Sequence, residues 1–258
     1  MTNGSTPEGP IDRGARGLTR RRARIALASG VGAATALLPA LAALKVRSMR
    51  RAAREAPVLA LDLDLDGTEP RRSIVVLGDS ASAGFRLDNA EQSAGRRVAR
   101  ALNLRDGRAT RLRCVARNGA TSADVLTEQV DAATDADVVL IGVGANDAKD
   151  RVPAADVEAA LGELITRVRE LAAPDARIVL VGCPDLSVAP GLPWVLRAAM
   201  RPRIKRVARI QQRVATALDV PLVPLLREEL GAEVFAADGF HPGPLGHERV
   251  SAKVLAHL

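Results

Sequence analysis

No tyrosine occurs in this 258-residue chain, and aromatic residues are only 2% of it. Trp194, Phe85, Phe235 and Phe240 are the large rings. Base stacking needs several aromatic platforms, so the formal charge of +7 does not make this a nucleic-acid binder. The same scarcity argues against a sugar-stacking cleft. Cysteine is equally sparse: Cys114 and Cys183 cannot supply a disulfide framework and read as buried thiols. Three histidines with no paired Cys/His spacing exclude a zinc site. Neither a metal nor a cofactor is expected.

The positive charge is confined to one end. Residues 1–55 carry eleven Arg/Lys against three acidic residues, while the other 203 hold 26 basic and 27 acidic side chains. Within that tail, IALASGVGAATALLPALAAL (Ile25 to Leu44) has no charge over twenty residues, about the length that spans a bilayer as a helix. Basic clusters flank it at Arg20–Arg24 and Lys45–Arg54. The pattern predicts a signal or anchor segment over residues 25–44, placing the protein in the cell envelope, membrane-anchored or secreted. Ala40-Leu41-Ala42 is similar to a signal-peptidase site, and a basic tail with an Ala-rich helix is the alternative. Residues 56–72 read as a linker with a possible edge strand, and 73–258 as the folded body.

In that body, short apolar runs alternate with amphipathic stretches. Strands are expected at Ser73–Leu77, Arg111–Ala116, Asp137–Gly142, Arg177–Gly182 and Val220–Pro224. Helices are expected near Ala90–Leu102, Ser122–Ala133, Ala154–Ala173, Val195–Leu218 and Leu245–Leu258. Thr121 or Ser122 can cap the second helix, and Pro153 suits the start of the third. This alternation predicts a mainly parallel five-stranded sheet with helices on both faces. Functional residues then belong at the carboxyl ends of the strands.

Several motifs fail on inspection. Asp62, Asp64, Asp66 and Gly67 open like a calcium loop, but Ser73 stands where a bidentate Glu is required and no helix precedes them. Asp64-Leu65-Asp66-Gly67-Thr68 is similar to the nucleophile motif of haloacid-dehalogenase phosphatases, yet the acidic pair that would hold magnesium is missing downstream. Alternating Leu61, Leu63 and Leu65 fit one face of an edge strand instead. Gly142-Val-Gly144-Ala-Asn-Asp147 lacks the third glycine of a dinucleotide fingerprint. VVLGDSASAG (Val75–Gly84) is neither a phosphate loop nor a Gly-x-Ser-x-Gly elbow.

The remaining residues fall at expected strand ends or just before the last helix. Ser80 follows the first strand, Asn118-Gly119 the second and Gly144-Ala-Asn146-Asp147 the third; Asp238-Gly-Phe-His241 precedes the last helix. A serine hydroxyl becomes a nucleophile when a base removes its proton. His241 is the histidine with an acid three residues before it, so Asp238 can hold its Nδ1–H and leave Nε2 for Ser80. The Ser80 N–H, the Gly119 N–H and the Asn146 amide can form an oxyanion hole, where losing one donor typically costs about 10²–10³ in rate.

In this order, the residues resemble the four blocks of the SGNH/GDSL hydrolase superfamily, from about Ser73 to Leu258. The resemblance implies a three-layer α/β/α sandwich of flavodoxin-like character and a metal-free serine esterase or lipase working through an acyl-enzyme. Ala81 replaces the usual Leu of the first block, and Asn118 the usual Ser before the glycine of the second. Asp79 is expected to hold the turn, and His247 and His257 to lie on helix surfaces. An acyltransferase or carbohydrate O-acetylesterase on the same site, an inactive envelope-anchored binding module and the phosphatase are the other readings. A small-molecule or lipid ester is the expected partner, membrane contact is expected through residues 25–44, nucleic acid is excluded, and the chain is expected to be a monomer. LPWVLRAAMRPRIKRVAR (Leu192–Arg209) reads as a lid, an interfacial helix or a solvated basic face.

Overall fold

The structure is a computed structural model that describes Met1, Leu59–Leu226 and Gly231–Leu258. The expected anchor at 25–44 and most of the basic tail lie outside the described residues. Among the described residues, no helix is long and apolar enough to cross a membrane.

Among the described residues, six strands form one sheet: β1 Leu63–Leu65, β2 Thr68–Gly78, β3 Arg108–Cys114, β4 Val138–Gly142, β5 Arg177–Val181 and β6 Leu222–Val223. Their order is β1-β3-β2-β4-β5-β6. β1 runs antiparallel to β3, and every other pairing is parallel. The sheet therefore has one strand more than the five expected. The addition is the short edge strand inside the stretch read as a linker. Leu61 is buried there, while Asp62 and Asp64 face outward. Asp62 accepts the Cys114 N–H at 2.9 Å, and Asp64 pairs with Arg71 and Arg111. Asp64, the first acid of the phosphatase-like motif, thus sits in an ion-pair cluster on the exposed edge strand.

The central strands are buried on both faces, as their unbroken apolar runs require. Successive side chains point to opposite sides of a strand. Ile74, Val76, Val138 and Leu140 accordingly join Val98, Leu102 and Val254 in one core layer. That layer is roofed by α1 (Ala94–Asp106) and α6 (Pro244–Leu255). On the opposite face lie α2 (Ser122–Glu128), α3 (Ala145–Asp150), α4 (Ala154–Leu171) and α5 (Trp194–Ala217). Their apolar stripes, such as Val157, Leu161, Leu164, Ile165 and Val168 on α4, are fully buried.

Caps explain where the helices begin. Thr121 and Asp124 form a reciprocal capping box at α2, satisfying two otherwise orphaned backbone donors. Ser93 accepts the Arg96 N–H at the start of α1, and Gly107 ends that helix in the left-handed conformation. Pro153 precedes α4, as the sequence suggests.

Candidate active site

β2 ends in a turn built on two glycines. Gly78 pairs in register with Gly142 of β4. A Cβ on Gly78 would lie 2.1 Å from the Gly142 carbonyl oxygen, and one on Gly142 would lie 2.3 Å from Ser82 Oγ. The missing side chains let Ser82 fold over the strand ends and donate to Gly142 O at 3.1 Å. The turn that follows places Ser80 half-buried at the carboxyl edge of the sheet. Asp79 is buried beneath it and accepts the Ala81 N–H at 3.0 Å. Burial drives its carboxyl up to about 7, opposed by that N–H and assisted by the nearby Asp147 carboxylate. Asp79 thus braces the turn, the role expected for it.

Two glutamines hold this edge together. Gln129 is buried, accepts the Gly78 N–H at 2.8 Å and donates to Gly78 O at 3.0 Å. It supplements the chain beyond β3, whose Arg117 N–H also donates to Gly78 O at 3.0 Å, where β2 ends. Gln211 on α5 accepts the Cys183 N–H at 2.7 Å and donates to Val143 O at 2.8 Å, joining the chain just past β4 and β5. Neither glutamine belongs to a recognisable motif. Gln211 leaves a trace, since it interrupts the stripe Ile204, Val207, Gln211, Val214 with a polar group on the buried face. Gln129 leaves none.

Asp238 and His241 lie in one short loop ahead of α6. Asp238 Oδ1 accepts the backbone N–H groups of Phe240 and His241, at 2.9 and 3.0 Å. Its Oδ2 meets His241 Nδ1 at 2.7 Å. Burial alone would raise this carboxyl, but the imidazole and the two backbone donors bring it down to about 2. The His241 ring stands edge-on to Phe85 at 4.6 Å and to Phe240 at 5.0 Å, which fixes its plane. The Arg86 guanidinium lies over Phe85, with Nε 3.5 Å from Asp238 Oδ2.

Ser80 and His241 line one cavity of about 160 Å³. It runs inward between the sheet and the α1/α6 layer, past Val76, Leu140, Val181, Leu225 and Val254. Asn146, buried in the first turn of α3, donates through Nδ2 to Ala120 O at 3.0 Å and accepts from Lys149 through Oδ1. The first of these bonds ties Asn146 to the loop that carries Gly119. Gly119 has φ +85°, and a Cβ there would meet nothing within 4 Å. Its glycine serves backbone conformation rather than space. Among the described residues, neither the Ser80 N–H nor the Gly119 N–H has a hydrogen-bond partner.

One expectation needs correcting. His257 is exposed as expected, but His247 is buried at 3% exposure and lines the cavity wall. It shares a stripe with Ser251 and Val254 on the inner face of α6. Its Nδ1 accepts the Ala94 N–H at 3.2 Å, which leaves the ring proton on an Nε2 without a partner. Burial, and secondarily the Arg97 charge, holds its pKa near 4.

The sign of the resulting stability change follows from that depressed pKa. Between pH 6.5 and about 4 the unfolded chain takes up a proton that the folded chain refuses, so this contribution to stability is lost as pH falls. His247→Gln removes it. The melting temperature of the variant should lie furthest below the parent's above pH 6.5 and approach it near pH 4. The change amounts to roughly 3 kcal/mol at most, at about 1.4 kcal/mol per pKa unit. Thermal melts from pH 4 to 7 measure it, and a gap independent of pH would refute the assignment.

Residues 76–249 match the model of the GDSL-like lipase/acylhydrolase family. Over 180 residues the chain is 34% identical to the GDSL-like esterase Rv1075c of Mycobacterium tuberculosis, a match covering 66% of this chain and 56% of that protein. The chain thus spans little more than half the length of that relative. The lipase/acylhydrolase from Enterococcus faecalis superposes with a TM-score of 0.58 at 26% identity, covering 72% of this chain and 94% of that one. An acetylxylan esterase from Geobacillus stearothermophilus shares the fold, with a TM-score of 0.58 at 19% identity, covering 72% and 93% of the respective chains. With the three-layer sandwich and the ordered blocks at its strand ends, the chain belongs to the GDSL-like lipase/acylhydrolase family.

Proposed function

We propose that the protein hydrolyses carboxylic esters through an acyl-enzyme on Ser80. The observation that carries this reading is the 2.7 Å Asp238–His241 contact beside a serine that opens onto the same apolar-walled cavity. His241 Nε2 takes the Ser80 hydroxyl proton as Oγ attacks the ester carbonyl. When the tetrahedral intermediate collapses, that proton goes to the departing alkoxide. Water then attacks the acyl-enzyme with His241 again as base, releasing the acid and restoring the serine. Asp238 holds Nδ1–H and favours the imidazolium. The unpartnered N–H groups of Ser80 and Gly119, with the second Nδ2–H of Asn146, are the donors for the oxyanion.

The inward cavity favours an ester with an aliphatic acyl chain over an acetylated sugar. Apolar cavities of about 150 Å³ accept a benzene-sized molecule, so the space of about 160 Å³ suits a chain of roughly six carbons. We further propose that residues 25–44 tie the protein to the membrane of the envelope. A fluorophosphonate probe tests the chemistry directly. Peptide mapping should place a single adduct on Ser80, and labelling that misses Ser80 would refute the reading.

A further inference from the structure

Among the described residues, the exposed large apolar side chains other than Met1 and Leu104 fall in one stretch beside the site. Val188, Trp194 and Val195 are all exposed, with Trp194 at 66%. Trp194 opens α5, and Val188 sits in the 3-10 turn just before it. The segment between them is seated on the catalytic loop: Gly191 N–H donates to Gly239 O at 2.8 Å. A Cβ on Gly191 would lie 2.1 Å from Asp238 O.

The apolar tip continues into a charged ridge. α5 contains seven Arg/Lys and no acidic residue. Arg197, Arg201, Lys205, Arg209 and Arg213 follow one another at four-residue spacing, so they stack along one row of the helix. Arg213 is neutralised by Glu158. Among the described residues, Arg197, Arg201, Arg203, Lys205, Arg206 and Arg209 form no ion pair. Like charges four apart destabilise a helix, and no acidic side chain among the described residues pairs with these six. A counter-charged partner would offset them, and the exposed Trp and Val at the end of the ridge call for one with an apolar layer beneath its charge. A nucleic acid meets the first demand alone.

We propose that α5 docks the protein on an anionic phospholipid bilayer. Val188, Trp194 and Val195 enter the headgroup boundary, and the Arg197–Arg209 ridge lies along the phosphates. Docking in this way holds the catalytic loop against the surface from which a lipid-dissolved ester would enter. This contact is independent of residues 25–44 and of whether Ser80 is catalytic.

Trp194 is the single tryptophan of the chain, so its fluorescence reports on this surface alone, even in the full-length protein. With vesicles of phosphatidylcholine and phosphatidylglycerol, its emission should shift to shorter wavelength and be quenched by brominated acyl chains. Pure phosphatidylcholine should produce neither effect. Each Lys or Arg at an anionic surface raises partitioning about fivefold. The triple variant Arg201→Glu, Lys205→Glu, Arg209→Glu should therefore lose at least about 100-fold in vesicle affinity as read by Trp194. It should keep its hydrolysis of a soluble short-chain ester, which shows that it is folded. If the protein sediments with anionic vesicles while Trp194 emission stays unshifted and unquenched, the amino-terminal segment alone binds and the proposal fails. It fails equally if pure phosphatidylcholine gives the same shift, or if duplex DNA shifts Trp194 and anionic vesicles do not.

Discussion

Ser80→Ala should lower kcat on a soluble ester by at least about 10⁴-fold, and His241→Ala by a similar factor, because nucleophile and base act as one unit. Their combination should cost little more than either change alone. The fold should survive both. Ser80 is half-buried in a turn held by Asp79 and Ser82 rather than by its own hydroxyl. Melting temperatures within a few degrees of the parent would separate lost chemistry from lost structure. The serine-nucleophile reading would be overturned if either folded variant kept more than about 1% of the parental rate, since the oxyanion donors and binding alone leave far less. The family relationship would stand in that case, but the residues assigned to the reaction would be wrong.

Local signals made much of this architecture readable in advance. β4 and β5 are apolar runs of strand length, and they fall within one residue of the positions that their composition suggests. The start of α2 is legible because its cap and the acid that completes the box stand three residues apart. Longer-range features were not legible. β3 begins at Arg108, ahead of its apolar run, because the parallel β2 and the antiparallel β1 supply partners for its polar first residues. Similarly, α1 starts at Ala94 rather than Ala90, since Asn89 and Ser93 cap two successive helices, the first a single 3-10 turn.

The site divides in the same way. Ser80, Asp238 and His241 could be proposed from residue type and position, because Ser80 follows a strand and the other two precede a helix that the pattern reveals. Gln129 could not, because the backbone groups it satisfies are 51 residues away in sequence. His247 reads as a surface residue for a related reason. Its side of α6 is polar enough to resemble a surface, with His247 and Ser251 alternating with Val250 and Val254. Only the packing of α6 on α1 and the sheet shows which side faces inward. The burial of His247 also places a neutral imidazole in the cavity wall, which no spacing rule would anticipate.

Asp238→Asn is the more discriminating substitution because the geometry specifies how it fails. Asp238 Oδ1 is committed to the N–H groups of Phe240 and His241, at 2.9 and 3.0 Å. An asparagine must keep its carbonyl oxygen there, since its NH₂ cannot accept those bonds. The NH₂ is then directed at His241 Nδ1, where the carboxylate Oδ2 sits at 2.7 Å. Two donors cannot face each other, so the imidazole adopts the tautomer with Nδ1 bare and the proton on Nε2. That proton points to the side from which Ser80 must be deprotonated, and the base is lost with the ring still in place. The expected outcome is a fall in kcat of about 10⁴-fold, with KM for the ester little changed because the cavity walls are untouched. Asp238→Ala removes the anchor for the loop as well, so it should additionally lower the melting temperature. Steady-state kinetics and melts of the two variants compare these outcomes. Equal losses of stability with little loss of rate would show that Asp238 only holds the loop, whereas a slow but stable Asn variant identifies it as the residue that orients His241.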